Sequence, residues 1–356
     1  MIKYVFKRLG LALVTSFVIL SLTFILIKTL PEGKPIGQVS TQIAYYEKQV
    51  SLGYVYKFIC DTRDEAKTEA ENSIYGAFLY KDVNKNTKKT TYYYKIPPMT
   101  QYKNWLKNIL TKWDWGTSRN IEPNVKATVI IGERLGTSIK LNILSVIVSV
   151  PLGLLLGIWA ALKKNTMTDH IISTTVMVFI SIPSFVLITF LMLWFCYGLK
   201  WLPSQWPNKT ASTSMKIKGY ILPVFCLSFG SICGYCRFTR AELCEVMESD
   251  YLLLARTKGL TRRQAIVRHA LKNAMVPIFP SILAEFIGIL GGSMILESLY
   301  GIPGIGQLFI KSLGAKDYNI LFVDMAIFTT ISLMAGVILD ISYGFIDPRI
   351  RMGAKK

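Results

Sequence analysis

The chain has 356 residues, 51% of them hydrophobic, with 41 Lys and Arg against 22 Asp and Glu and a formal net charge of +19. In a soluble protein that charge would point to nucleic acid, but here the apolar residues are bunched into runs of about the 20 residues that cross a bilayer core, and the basic residues flank those runs. Nucleic-acid binding is therefore disfavoured, and a β-barrel is excluded because the runs lack apolar–polar alternation.

The first run, Leu9–Ile27, carries no charge. It is longer than the apolar stretch of a signal peptide and no small-x-small cleavage site follows, so residues 1–30 read as a retained N-terminal anchor span. Residues 31–133 are polar and lysine-rich. Within them Gly76–Val83 and Thr90–Ile96 read as a hairpin. Tyr102, Trp105, Leu106, Ile109, Leu110 and Trp113 recur at helical spacing, and the two tryptophans of this amphipathic helix suit a membrane interface or a small core equally. The stretch from about Lys34 to Pro98 suggests no function.

Five more runs follow: Leu141–Leu162, Ile171–Leu199, Tyr220–Cys236, Asn273–Leu296 and Asn319–Ile346. Pro183 is expected to kink the second of these, and the helix of the third can continue past Arg237 towards Ser249. Trp201 and Trp206, in a connection rich in Pro, Ser and Lys, read as interface anchors. The expected fold is thus an all-α membrane protein with six transmembrane helices and an extracellular α+β insertion over 31–133, with residues 134–356 forming a five-span core. Lys3, Lys7, Arg8, Lys163, Lys164, the basic loop 250–277, Arg349, Arg351, Lys355 and Lys356 all fall on one side if the N-terminus is cytoplasmic. Both termini are then cytoplasmic and 31–133 lies outside, which is allowed because long domains translocate largely regardless of charge.

The loop 250–277 reads DYLLLARTKGLTRRQAIVRHALKNAMVP. Asp250 can cap a short helix that Gly259 ends, and Thr261 with Gln264 forms a capping box for a second helix. Charge alone makes this a solvated basic loop. The order of residues goes further and resembles the EAA loop of ABC importer permeases in the dipeptide/oligopeptide/nickel branch. Gly259 follows Ala255 by four residues, as in that pattern. Leu253 stands at the glutamate position, and the expected Leu-Pro falls at Leu271 and Lys272, with proline displaced to Pro277. The resemblance extends to Tyr235-Cys-Arg237-Phe-Thr-Arg240-Ala-Glu-Leu-Cys-Glu245 upstream and to Trp113-Asp-Trp-Gly116-Thr-Ser118. Downstream it includes Leu290-Gly-Gly292, Glu297, Pro303-Gly304-Ile-Gly306 and Asp347-Pro-Arg-Ile-Arg351.

The resemblance implies the first permease of a pair in a plasma-membrane ABC importer for dipeptides or oligopeptides. Its partners would be a second homologous permease, two cytoplasmic ATPase subunits and an extracellular substrate-binding protein. It also implies that Ala255, Arg256, Lys258, Gly259, Leu260, Arg268 and Leu271 form an ATPase-coupling loop, and that Pro303, Gly304 and Gly306 form an external gate. Two alternatives stay open: a permease for a nickel–chelator complex, and an ion-coupled secondary transporter using Glu285, Asp324 and Asp340 as buried ionisable groups.

Other chemistry is missing from the sequence. Gly301-Ile-Pro-Gly-Ile-Gly306 has the glycine interval of a phosphate loop, but Gln307 and Leu308 replace its lysine and hydroxyl, so phosphates and magnesium have no ligands. The reading is a tight external turn in a chain that is not itself an enzyme and holds no cofactor. His170 and His269 are far apart and argue no metal site. Cys233 and Cys236 have redox spacing, but in an apolar helix they read as small core residues. Asp324 and Asp340 on one helix would lie about 24 Å apart, too far for a proteolytic dyad.

In the Asn273–Leu296 run, Pro277, Ser281, Ala284, Glu285, Gly288, Gly291 and Gly292 are expected on one face, with Ile278, Ile282, Phe286, Ile289 and Leu290 on the other. Gly288 and Gly292 make a small-xxx-small pair. A charge at Glu285 costs about 2.5–3.5 kcal/mol on insertion scales, so it should face a helix interface or a wet pathway. Ser281, Glu285, Gly288 and Gly292 are therefore candidate translocation-path residues. Glu285 would act there either on a peptide's ammonium group or as a protonated hydrogen-bonding spacer.

Overall fold

A computed structural model of the chain describes residues 2–30, 35–61, 77–84, 88–288 and 293–346. Gly76, Asn86, Ile289, Leu290, Gly291, Gly292, the 347–351 motif, Lys355 and Lys356 lie outside the described residues. The chain divides into two compact units, one of Met1–Leu9, Leu135–Gln307 and Ile331–Lys356, the other of Gly10–Arg134 and Leu308–Thr330.

The second unit is built on the apolar helix α1 (Ile2–Thr29), from Gly10 onward. Next come α2 (Val39–Ser51), β1 (Val55–Asp61), β2 (Ala77–Asn84), β3 (Lys89–Lys95) and α3 (Pro98–Lys112). The expected hairpin forms, with β2 antiparallel to β3 and a bulge between Phe78 and Tyr80. Its central strand also pairs with β1, which the sequence reading did not assign, giving a three-stranded sheet of order β1-β3-β2 among the described residues. One sheet face packs on α2, where the Tyr46 ring stacks on Tyr93 at 5.1 Å. At its rim Glu47 accepts from Lys57 Nζ at 2.5 Å and from the Tyr93 hydroxyl at 2.8 Å. The Lys57 ammonium holds the Glu47 carboxyl below its ordinary range.

The two tryptophans of α3 separate. Trp105 is buried, stacked on Phe24 of α1 at 4.8 Å and edge-on to Phe322 at 5.6 Å. Trp113 is 71% exposed in a left-handed C-cap. The helix thus uses one tryptophan as core and leaves the other at the surface. A second organiser of this unit is Asp317, fully buried. One of its oxygens accepts from Ser118 Oγ at 2.6 Å and from the backbone N–H groups of Arg119, Asn120 and Ile121 at 2.9–3.1 Å. Asn319 Nδ2 donates to the Thr117 carbonyl, so the Gly116-Thr-Ser118 segment is tied to the start of the last helix.

The larger unit consists mainly of long helices: α4 (Ala127–Leu162, from Leu135), α5 (Met167–Ile180), α6 (Ser184–Leu191, continued as a π-helix over Met192–Gly198) and α7 (Thr213–Met247). After these come α8 (Asp250–Thr257) and α9 (Arg262–Ala265). A π-helical stretch, Ile266–Ala270, leads from α9 into α10 (Leu271–Gly288), followed by α11 (Met294–Tyr300), α12 (Ile305–Gly314) and α13 (Tyr318–Ile346). Among the described residues four helices are long and apolar enough to cross a membrane: Tyr4–Thr29, Ala127–Leu162, Thr213–Met247 and Tyr318–Ser342. A fifth span results if α5 and α6 with its π-helical extension, bent by 97° at their break, count as one. Pro183 sits at that break as the N-cap of α6. α10 is not in this set; it carries Lys272, Asn273, Glu285 and two prolines.

The ring of Trp206 packs against Tyr220 at 4.8 Å and its backbone N–H donates to the Tyr300 carbonyl, whereas Trp201 is 62% exposed. One sequence expectation is corrected here. Ile278 is fully buried and lies on the Glu285 face of α10, because seven residues are close to two full turns.

Candidate functional site: the basic knuckle and the helix seam

The basic knuckle begins where α7 ends. The residue that caps α8 is Ser249, not Asp250; Asp250 is the first helical residue, where its charge favours the positive end of the helix dipole. The helix stops at Gly259, whose φ of +97° is left-handed. That conformation suits glycine and strains a β-branched residue. Thr261 then caps α9, and the capping box is complete: Thr261 Oγ1 accepts from Gln264 N–H, and the Gln264 side chain accepts from Thr261 N–H. Leu252, Ala265, Ile266 and Ala270 are buried against Ala161, Leu243 and Cys244, and Leu260 and Leu271 pack on that cluster.

The residues of the expected coupling set therefore divide. Leu260 and Leu271 face inward and hold the knuckle together, and Ala255 is half-buried. Arg256, Lys258, Gly259 and Arg268 face outward. The sequence reading missed the outward apolar residues between these charges: Tyr251, Leu253, Leu254 and Val267 are 42–61% exposed. Their signal was available, since Leu253 and Leu254 adjoin Leu252 and one short helix cannot bury three consecutive leucines. A groove of about 360 Å³ runs beside them, lined by Lys164, Glu248, Asp250, Arg256 and Arg262 among others. Lys164 and Glu248 form an ion pair across it.

A second feature is a seam along α4. Ser138, Asn142, Ser145, Ser149, Gly153 and Gly157 recur every three or four residues and so share one face. Ser138 donates to Glu297 at 2.7 Å, Ser145 bonds Ser228 at 3.1 Å, and Ser149 reaches Glu285 at 3.4 Å. At the glycines the backbones nearly touch. A Cβ at Gly157 would come within 2.7 Å of the Cys236 carbonyl, and one at Gly153 within 2.9 Å of the Ile232 carbonyl. Near this end Asp169 of α5, 1% exposed, takes Arg240 of α7 in a two-pronged pair at 2.5 and 2.7 Å. It also accepts from Asn165 N–H and Ser173 Oγ. The seam escaped the sequence reading because hydroxyls in an apolar run do not break it; their helical spacing was the available signal.

Glu285 belongs to this seam. Tyr235 of α7 donates to the Ser281 carbonyl at 3.3 Å, with the Glu285 carboxyl close by. Gly288 is exposed, with open space where a Cβ would sit. The turn with Pro303, Gly304 and Gly306 folds back on α11. Fully buried Glu297 accepts from Ser138 Oγ, Gln307 N–H and Ser293 N–H. A Cβ at Gly304 would overlap that carboxyl, and one at Gly306 would meet the Met294 backbone nitrogen at 2.7 Å. Of the other membrane acids, Asp340 pairs with Arg8 at 3.0 Å and Asp324 is buried.

Apolar helices joined by a capped, basic, two-helix knuckle define a multi-span transport permease. Residues 153–352 match the family described as the binding-protein-dependent transport system inner membrane component, and the chain belongs to that family. It is 30% identical over 353 residues, 99% of the chain and all of the relative, to the dipeptide transport system permease protein DppB of Lactococcus lactis subsp. cremoris (strain MG1363). It is 35% identical over 260 residues, 73% of the chain and 83% of the relative, to the oligopeptide transport system permease protein OppB of Escherichia coli (strain K12). It is 29% identical to DppB of Bacillus subtilis (strain 168) over the full length of both chains.

Proposed function

We propose that the chain is the peptide-conducting permease subunit of an ABC importer, with six spans, both termini cytoplasmic and residues 31–133 outside. The observation that carries this reading is the knuckle, where exposed Leu253, Leu254 and Val267 stand among Arg256, Lys258 and Arg268 on a scaffold fixed by buried leucines and alanines. Such a surface, apolar at its centre and cationic around it, suits a protein partner with an acidic rim. In this reading it docks on a cytoplasmic ATPase, a second permease completes the path, and an extracellular binding protein delivers the peptide. α10 supplies the remaining span. Ser281, Glu285 and Gly288 lie along the path, and the Pro303–Gly306 turn gates its outer end. The relatives' names, dipeptide and oligopeptide permeases, favour peptides over a nickel complex. The Arg8 partner of Asp340 argues against a free ion relay at that position.

Topology is tested by labelling intact cells with a membrane-impermeant thiol reagent in a Cys60→Ser background. A cysteine at Lys107, exposed on α3, is expected to react, and one at Lys258 to react only after permeabilisation. The reverse pattern would sink the orientation and the coupling role with it. Because Gln307 and Leu308 occupy the positions where a phosphate loop needs lysine and a hydroxyl, the purified chain alone is expected to hydrolyse no ATP. Turnover in a preparation free of ATPase subunits would reveal a nucleotide site in this chain.

A further inference from the structure

We infer that Glu285, with the Ser281 carbonyl and the hydroxyls of Tyr235 and Ser149, is a binding site for the protonated amino terminus of a passing peptide. The inference rests on the peptide-permease reading above. A carboxylate at membrane depth persists where a cation or several good donors offset its desolvation. Three other acids of the larger unit follow that rule: Asp169 has Arg240, Asp340 has Arg8, and Glu297 has a hydroxyl and backbone amides. Glu285 does not. No Lys or Arg among the described residues forms an ion pair with it. Its contact with Ser149 Oγ, at 3.4 Å, is longer than the roughly 2.7–2.8 Å of a well-formed O–H···O bond.

The groups around it are mostly acceptors. Tyr235 has a single hydroxyl proton, and it goes to the Ser281 carbonyl, leaving the nearby Glu285 without it. The carboxylate, a backbone carbonyl and a hydroxyl oxygen converging from two helices match the three N–H donors of an alkylammonium. The same helix carries two prolines N-terminal to Glu285. Pro277 and Pro280 lack N–H groups, so the carbonyls of Asn273 and Val276 lose their helical donors. Glu285 itself is neither buried nor fully exposed, as a group that meets a transient ligand should be.

The test uses the complete transport complex in proteoliposomes with one peptide in two forms, free and N-acetylated, each at a concentration giving equal occupancy of the binding protein. Glu285→Gln, which keeps the shape and removes the charge, is expected to slow uptake of the free form about tenfold, the worth of a charge-assisted hydrogen bond. The acetylated form should be unaffected. Tyr235→Phe should move the ratio the same way by less, and Glu285→Asp should restore part of it. Tyr235→Phe also reads the discrimination if Glu285→Gln fails to assemble. An equal effect on both forms, or none on either, overturns the ammonium site and makes Glu285 a protonated spacer, leaving the peptide reading intact. A wild-type complex that transports neither form would instead overturn the peptide reading.

Discussion

Uptake by a complex carrying Gly259→Val is expected to fall to background, with the subunit present at its normal level and substrate capture unchanged. Gly259 has open space around its missing Cβ, so the effect is not steric crowding; it comes from a φ of +97°. A β-branched residue in that region costs on the order of 1–3 kcal/mol. α8 has eight residues and α9 four, too few for either to hold its shape alone. The strain is therefore relieved by reorienting α8, and with it Leu253, Leu254 and Arg256. Ala255→Glu should give the same phenotype by a different route, placing a bulky charge at a half-buried position of the proposed dock. Wild-type transport by either variant would refute the coupling role. Gly259→Ala is the graded control and should retain partial activity.

The second large effect is expected at Arg240. Removing its guanidinium with Arg240→Ala leaves the Asp169 carboxylate, 1% exposed, with Asn165 N–H and Ser173 Oγ as its donors. Breaking a buried pair from one side costs about 3–5 kcal/mol, enough to lower the subunit's level in the membrane and its melting temperature in detergent. Arg240→Lys keeps the charge but loses the fork that matches both carboxylate oxygens, and should fall between. If Arg240→Ala melts with the wild type, the clamp between α5 and α7 is not what holds them. Asp169→Asn addresses the same contact from the other side and should cost less, because a neutral amide is cheaper to leave half-paired than a carboxylate.

Much of the helical frame was legible because an apolar run long enough to cross a membrane has few other readings. Its boundaries were less so. α4 starts at Ala127, well before Leu141, since Glu133, Arg134 and Lys140 end the apolar run without ending the helix. α7 likewise begins at Thr213, ahead of Lys216 and Lys218. Long basic side chains can carry their charge away from an apolar helix, so charge marks where a run stops and not where a helix does. β1 was hidden for another reason. Its partner lies far along the chain, with Cys60 opposite Thr90, whereas β2 and β3 are separated by only a few polar residues in sequence, which announces a hairpin. At the knuckle the capping box and the glycine stop were readable from local chemistry. Which residues face outward depends on the buried cluster with Ala161 and Leu243, and no local pattern contains that. The same holds for Glu285: its place in an apolar run was visible, but Ser149 and Tyr235 reach it from helices far away in sequence.

Asp317 carries a consequence for how the chain is made. Its carboxylate collects Ser118 and the amides that follow from 196–199 residues upstream. At about 5–20 residues per second of synthesis, some 10–40 seconds separate the emergence of that loop from the emergence of its acceptor. Through that interval three consecutive backbone donors stand without the acceptor that later holds them, and the 118–121 segment cannot lock. Emergence of Asp317, just ahead of the last helix, is then the event that closes this earlier segment. A chain truncated before Asp317 is left with an open 118–121 segment, recognisable to membrane proteases however well its earlier helices have inserted.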